Sequence, residues 1–262
     1  MKNVTGYDMS KLMAGSWGTL AVATDVTFKV LPAAETETTL AIRGLLDEDA
    51  AAAMALALGS SAEISAAAHL PEGVAGRLAY GTLGAESATL LRVEGFGPSV
   101  AYRIGALKTL LKNAGVIDEV GLATSRRVWR NIRDCITFAD GSERPVWRVS
   151  MAPSEGHRMV LALRMELAAE AFYDWQGGLV WLRLEADPHA ETLRRLVKRF
   201  GGGHATLVRA SPAWRASVPV FEPQASALAA LSARLKAEFD PKGILNPGRM
   251  VGGAPSAMLT PA

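Results

Sequence analysis

The chain has 262 residues, 49% of them hydrophobic and 21% charged, with 25 glycines and 13 prolines. This composition excludes disorder, collagen and coiled coil, and the length allows one large domain or two ordinary ones at roughly 150 residues each. Lys and Arg number 28 against 26 Asp and Glu, a net charge of +2, too small a field to indicate a nucleic-acid partner.

A single cysteine, Cys135, forms neither a disulfide framework nor a thiolate metal site, and it fits a reducing, cytoplasmic setting. It reads as a small buried apolar residue. The longest apolar run, Ala50 to Leu58, falls far short of the roughly 18 residues a membrane span needs, and the opening residues show no signal-peptide core. Neither a membrane span nor a targeting segment is expected.

In chain order, Gly15-Ser16-Trp17-Gly18-Thr19 has the composition of a tight loop that lets its backbone approach another group closely. Leu20 to Val30 alternates apolar and polar residues and predicts a half-buried strand ended by Pro32. Strands follow at Thr39 to Arg43, Ala62 to His69, Ser87 to Glu94 and Val116 to Val120. An alanine-rich helix, Asp47 to Leu58, is interposed, and so is a helix carrying Val100, Ile104, Leu107 and Leu111, with Gly115 at its expected C-cap.

After a helix over Leu122 to Ile136, the same order returns. Strands are predicted at Val146 to Met151, Ala171 to Gln176, Leu179 to Glu185 and His204 to Arg209, with helices at Glu155 to Leu167 and Pro188 to Phe200. Gly177-Gly178 is expected to form a two-residue hairpin turn. The expected class is α+β: two consecutive βαββαβ units, that is, a duplicated ferredoxin-like sheet with helices on one face. A last helix, Ala225 to Phe239, precedes a Pro- and Gly-rich turn segment, Phe239 to Met250, and beyond Gly252 the chain reads as a frayed end.

Two segments at opposite ends carry a family resemblance. Lys2 to Asp8, Lys11-Leu12 and Gly15 to Leu20 resemble the end of the flavin domain of FAD-linked oxidases of the vanillyl-alcohol oxidase superfamily. Phe239 to Met250 resembles the C-terminal signature of the same enzymes. Within that superfamily the chain is most similar to the FAD-binding subunits of bacterial glycolate oxidase.

The resemblance implies a remnant of an FAD-binding domain over residues 1–33, an FAD-linked oxidase cap domain of two ferredoxin-like units over 34–215, and a tail over 216–262 that returns to the flavin domain. It also implies FAD as the cofactor, contacted by Gly15, Ser16, Trp17, Gly18, Thr19, Leu20 and Asn246. The family's glycine-rich pyrophosphate segment precedes the portion matched here, so FAD is expected to be absent or weakly bound. The 1–32 segment is expected to self-associate. Its partners would be the other subunits of a glycolate-oxidase-like complex and a small 2-hydroxy acid.

Flavin oxidation of such an acid needs a cation for the carboxylate and a base for the hydroxyl proton. Arg148 and His204 are the candidates for these catalytic roles; read singly, Arg148 is a solvated sheet residue and His204 a loop cap. His69, His157, His189 and His204 are too far apart in sequence to suggest a metal pair, so no metal site is expected. Arg126, Arg130 and Arg133 share a helical face beside Arg127, and Arg194, Arg195, Lys198 and Arg199 form a second basic cluster. Either face could meet an anion, and solvation also accounts for both. Trp17, inside the glycine loop, is singled out as a contact for flavin or a partner. A non-catalytic ferredoxin-like interaction module without flavin is the alternative function.

Overall fold

The computed structural model describes residues 6–78 and 83–250. The Lys2–Thr5 part of the N-terminal motif and the end expected beyond Gly252 lie outside the described residues. The chain forms two compact units, Pro32–Val218 and a smaller one made of Met1–Leu31 with Pro219–Ala262.

The larger unit is a mixed helix–strand structure built on an eight-stranded sheet. Its strands are β1 (Thr36–Arg43), β2 (Ala66–Leu70), β3 (Ala88–Gly95), β4 (Val116–Val120), β5 (Val146–Met151), β6 (Ala169–Asp174), β7 (Leu179–Leu184) and β8 (Gly203–Arg209). All pairings are antiparallel and the order is β4-β1-β3-β2-β6-β7-β5-β8. From either edge inward, each half places its fourth, first, third and second strands in turn. The halves join at a single residue pair, His69 opposite Tyr173.

Side-chain alternation along each strand gives the sheet two differently covered faces. Leu40, Ile42, Leu91 and Val93 point to one face and pack under α2 (Asp47–Leu58) and α4 (Gly97–Leu110). Trp147, Val149, Tyr173 and Leu182 continue that face under α6 (Gly156–Arg164) and α7 (Ala190–Arg199). On the opposite face, Ala41, Leu90, Val146 and Phe172 pack with α3 (Glu72–Ala75), α5 (Leu122–Arg133) and a 3-10 turn at Ile136–Phe138. Each fully buried Leu or Val in these layers contributes roughly 1.5–3 kcal/mol by leaving water.

Local chemistry sets the element ends. The first turn of α2 carries Asp47, Glu48 and Asp49, which complement the positive end of the helix dipole, and the helix stops at Gly59. In α4, Pro98 occupies the first turn, where its missing N–H costs nothing. That helix ends at Leu110, short of the expected cap at Gly115. Gly115 instead has φ +155° where the chain enters β4, and a Cβ there would lie 3.0 Å from the Arg43 carbonyl oxygen.

The helix after β4 likewise stops at Arg133, because Cys135 turns left-handed at φ 51°. Cys135 packs against the core beside α5, and burial pushes its thiol up to about 12. The β6–β7 connection is not a two-residue Gly-Gly turn. Trp175, Gln176 and Gly177 all take positive φ, making a 3-10 turn at Trp175–Gly177 that reaches β7 through Gly178. A six-residue helix, α8 (Pro212–Ser217), follows β8, its N-cap Ser211 accepting from Trp214 N.

The seam between the half-sheets carries a polar cluster. At the N-terminus of α2, Asp47 accepts from the Tyr173 hydroxyl at 2.5 Å and from Arg164 Nη1 at 2.9 Å. His69 is buried, bonded through Nδ1 to Thr89 Oγ1 at 2.9 Å, with Nε2 3.3 Å from Asp47 Oδ1. Burial pushes the Asp47 carboxyl up, but the contacts from His69 and Tyr173 and the charge of Arg164 outweigh it and hold the group down at about 2.

The smaller unit contains α1 (Met9–Met13), capped by Asp8, and α9 (Ser226–Phe239); neither helix has a buried residue. Residues 21–31 form no strand. Val22, Phe28 and Val30 are each about 80% exposed, and no described strand lies alongside this segment to complete a ladder. The alternating pattern is present without the neighbour that would bury it.

Candidate functional site

In the smaller unit the 15–19 loop is held against the tail by one ammonium group. Lys236, near the end of α9, donates from Nζ to the Thr19 carbonyl at 2.7 Å, to the Leu245 carbonyl at 2.9 Å and to Asp240. Asp240 is buried and also accepts from the Ile244 and Leu245 amides at 3.1 and 2.8 Å. Lys236 leads the causes that hold its carboxyl below the usual range. Three donor sites of one lysine thus meet three acceptors from opposite ends of the chain.

Asn246 completes the junction, donating Nδ2 to the Trp17 carbonyl at 2.7 Å from a left-handed backbone, φ 42°. The Arg249 guanidinium lies 4.8 Å from the Trp17 ring centroid, and Phe221 packs 5.5 Å from the same ring. Thr19 is buried; its hydroxyl donates to Ser16 O at 2.6 Å, while Leu20 is half-buried. Of the loop and tail residues singled out in the sequence, Trp17, Gly18, Thr19 and Asn246 come together here. Gly15, Trp17 and Gly18 all have positive φ, and their amide N–H groups donate to nothing among the described residues. Three backbone donors on an exposed, left-handed loop suit an anionic or carbonyl-rich ligand.

In the larger unit, Arg148 on β5 and His204 on β8 lie on the sheet face that also carries α5. Arg148 pairs in register with Thr206, and Ser150 with His204, so the two candidates sit two residues apart along neighbouring strands. Arg148 is half-buried, with its guanidinium 5.3 Å from the Trp175 ring centroid, and His204 is exposed.

Sequence reading did not single out the cleft on that same face. It measures about 650 Å³ and is bordered by Arg92, Arg126, Arg130, Arg133, Asp174 and Trp175, among others. Arg92 Nε bonds Ser65 Oγ at 3.1 Å and its guanidinium stacks 5.4 Å from the Trp129 ring. Burial raises the Asp174 carboxyl above its ordinary value, against the pull of the Trp175 amide, Arg148 and Arg92. A buried chain runs from the Trp129 indole to Thr39 at 2.8 Å, from Thr39 to Ser125 at 2.8 Å and from Ser125 to Glu37 at 2.6 Å, fixing α5 to β1. Only the arginine spacing on α5 foreshadowed the site. Arg92 and Asp174 come from separate strands brought together by the sheet order.

Among the described residues no group of three or more His, Cys, Asp or Glu is arranged to hold a metal ion, and no helix is long and apolar enough to cross a membrane.

No protein-family model matches the chain. It is 30% identical over 250 residues to the glycolate oxidase subunit GlcE of Escherichia coli (strain K12), a match covering 95% of this chain and 59% of that subunit. The sequence is thus similar to that of GlcE. It spans less than two thirds of the length of this curated relative. The fold also resembles alkyldihydroxyacetonephosphate synthase in two crystal forms. The TM-scores are 0.54 and 0.52 at 14% and 15% identity, over 95% and 94% of this chain and 52% and 50% of the solved chains.

Proposed function

We propose that the chain is a subunit of a flavin-linked oxidoreductase that acts on a small 2-hydroxy acid. The observation that carries this reading is the 30% identity to GlcE across 95% of the chain. The repeated order of four strands in each half of the sheet supports, on this reading, a duplicated ferredoxin-like cap of about residues 34–215. Residues 1–33 and 216–262 then serve a flavin domain.

The donor set of the 15–20 loop fits FAD: backbone amides of Gly15, Trp17 and Gly18 for phosphate or ribityl oxygens, with Trp17 and Asn246 toward the ring system. FAD, when bound, supplies the hydride acceptor for oxidation of the hydroxy acid. Arg148 would hold the substrate carboxylate and His204 would take the hydroxyl proton. Three backbone amides and one side-chain amide are few contacts for a dinucleotide, so this chain alone holds FAD weakly. Val22, Phe28 and Val30, all exposed, would be covered in the assembly by another subunit or a second copy.

The test is co-expression with the other subunits of a GlcE-type complex. The assembled complex is expected to carry the visible flavin bands and to reduce an electron-accepting dye with glycolate. Asn246→Ala should deplete the flavin, Arg148→Met should raise KM for glycolate, and His204→Gln should lower kcat. An assembled complex whose flavin content and glycolate turnover are indifferent to all three substitutions would refute the reading.

A further inference from the structure

The cleft between α5 and the 175–176 turn has a size, charge and rigidity that a two-carbon hydroxy acid does not use. At about 650 Å³ it falls in the range of roughly 300–1,000 Å³ typical of pockets for drug-sized ligands. Its border combines arginines with apolar surface from Ile64, Trp129 and Ile132.

The arginines differ in what already occupies them. Arg92 has Glu94 at 3.1 Å, Arg126 has Glu37 at 3.8 Å and Arg133 is paired with Asp134. The Arg130 side chain makes no hydrogen bond or ion pair among the described residues, its charge acts on Asp134, and the residue is exposed on the cleft. The floor is equally specific: Asp174 lies within the field of both Arg92 and Arg148. Four arginines and two acids, Glu37 and Asp174, thus border a cavity with apolar walls.

The rim is held in place by backbone conformation. Trp175 and Gln176 are consecutive non-glycine residues at φ 51° and 62°, a region that costs side-chain-bearing residues about 1–3 kcal/mol each. That conformation sets the Trp175 ring over Arg148, with the residue 59% exposed. The Trp129–Thr39–Ser125–Glu37 chain fixes the opposite wall, so both aromatic residues are positioned before any ligand arrives.

We propose that this cleft is a binding site for an organic anion with a planar aromatic body, an aryl carboxylate. Arg92 and Arg130 engage the carboxylate, and the body lies along Trp129 and Trp175. The site belongs wholly to the larger unit and its occupancy does not depend on flavin.

Isothermal titration of the purified chain with 2-naphthoate tests it, alongside the neutral 2-naphthylmethanol, glycolate and inorganic phosphate. Saturable binding of 2-naphthoate is expected, with each of the other three at least tenfold weaker. Arg130→Gln, an exposed position that leaves the core untouched, should weaken 2-naphthoate about tenfold, the loss expected for one charge-assisted hydrogen bond. Arg92→Gln should do the same, and Trp175→Ala should weaken it severalfold, whereas Arg195→Gln on α7 should leave it unchanged. Absence of 2-naphthoate binding would overturn the proposal. So would equal binding of phosphate or glycolate, which makes the cleft a bare anion patch, and equal binding of the neutral alcohol, which makes it merely apolar. Equal losses from Arg195→Gln and Arg130→Gln would reduce the effect to overall charge and overturn it too.

Discussion

The sheet unit and the smaller unit are held together by opposite means. In the first, apolar layers on both faces bury large side chains such as Trp147, Phe172 and Tyr173 completely or nearly so. In the second, the buried residues among those described are polar, Thr19 and Asp240, and the helices α1 and α9 bury none of their residues. Apolar packing is spread over many side chains and directional contact is concentrated in a few. The sheet should therefore lose stability in proportion to the volume removed, and the smaller unit should lose its organisation through one or two atoms.

The largest effect that would separate the two regimes comes from Trp147→Ala. The ring is fully buried and its Nε1 donates to Pro188 O at 2.9 Å, so a loss of about 4 kcal/mol is expected in urea unfolding of the sheet. A loss below that of a surface substitution would show that the sheet core is not what sustains the unit.

Asp47→Asn tests the polar seam and should cost about 2 kcal/mol, the worth of hydrogen bonds to a charged group from Tyr173 and Arg164. Its pH signature is more telling. Asp47 takes up a proton near 3.8 when unfolded and at about 2 when folded, so its stabilising contribution is complete above the first value. It is lost as pH falls toward the second. Unfolding curves across that window should be steeper for the native chain than for Asp47→Asn; parallel curves would remove Asp47 from the acid response.

Lys236→Met should act on the smaller unit alone. Hydrogen exchange or limited proteolysis is expected to speed up around residues 15–20 and 240–246, while unfolding of the sheet stays within about 0.5 kcal/mol of the native value. A large shift in the sheet transition would abolish the contrast between the units. At the small end, Lys108→Ala removes an exposed ion pair with Glu119 and should change stability by about 0.3 kcal/mol.

How far the sequence foretold each region follows from the same contrast. The strands β4 and β5 and the helix α2 lie at the residues expected, α2 because an acidic first turn before alanines marks its start. The alternation of Leu20 to Val30 misled, since period-two patterning records which side chains share a face and says nothing of whether a neighbouring strand exists. The contact between the Trp17 loop and Asn246 was anticipated only through family resemblance. Residues 229 positions apart leave no periodic trace of meeting. The cleft was less legible still, because Arg92, Asp174 and Arg130 become neighbours only through the strand order and the seating of α5.

Using an amine, and not a guanidinium, to fasten the two chain ends has a chemical consequence. Lys236 is about one third exposed, so an acylating reagent can reach its nitrogen when the contact opens briefly. Once acetylated, that nitrogen keeps one N–H and no charge, and it can no longer serve Thr19, Leu245 and Asp240 together. A single acyl group would thus unfasten the N-terminal loop from the tail while leaving the sheet intact.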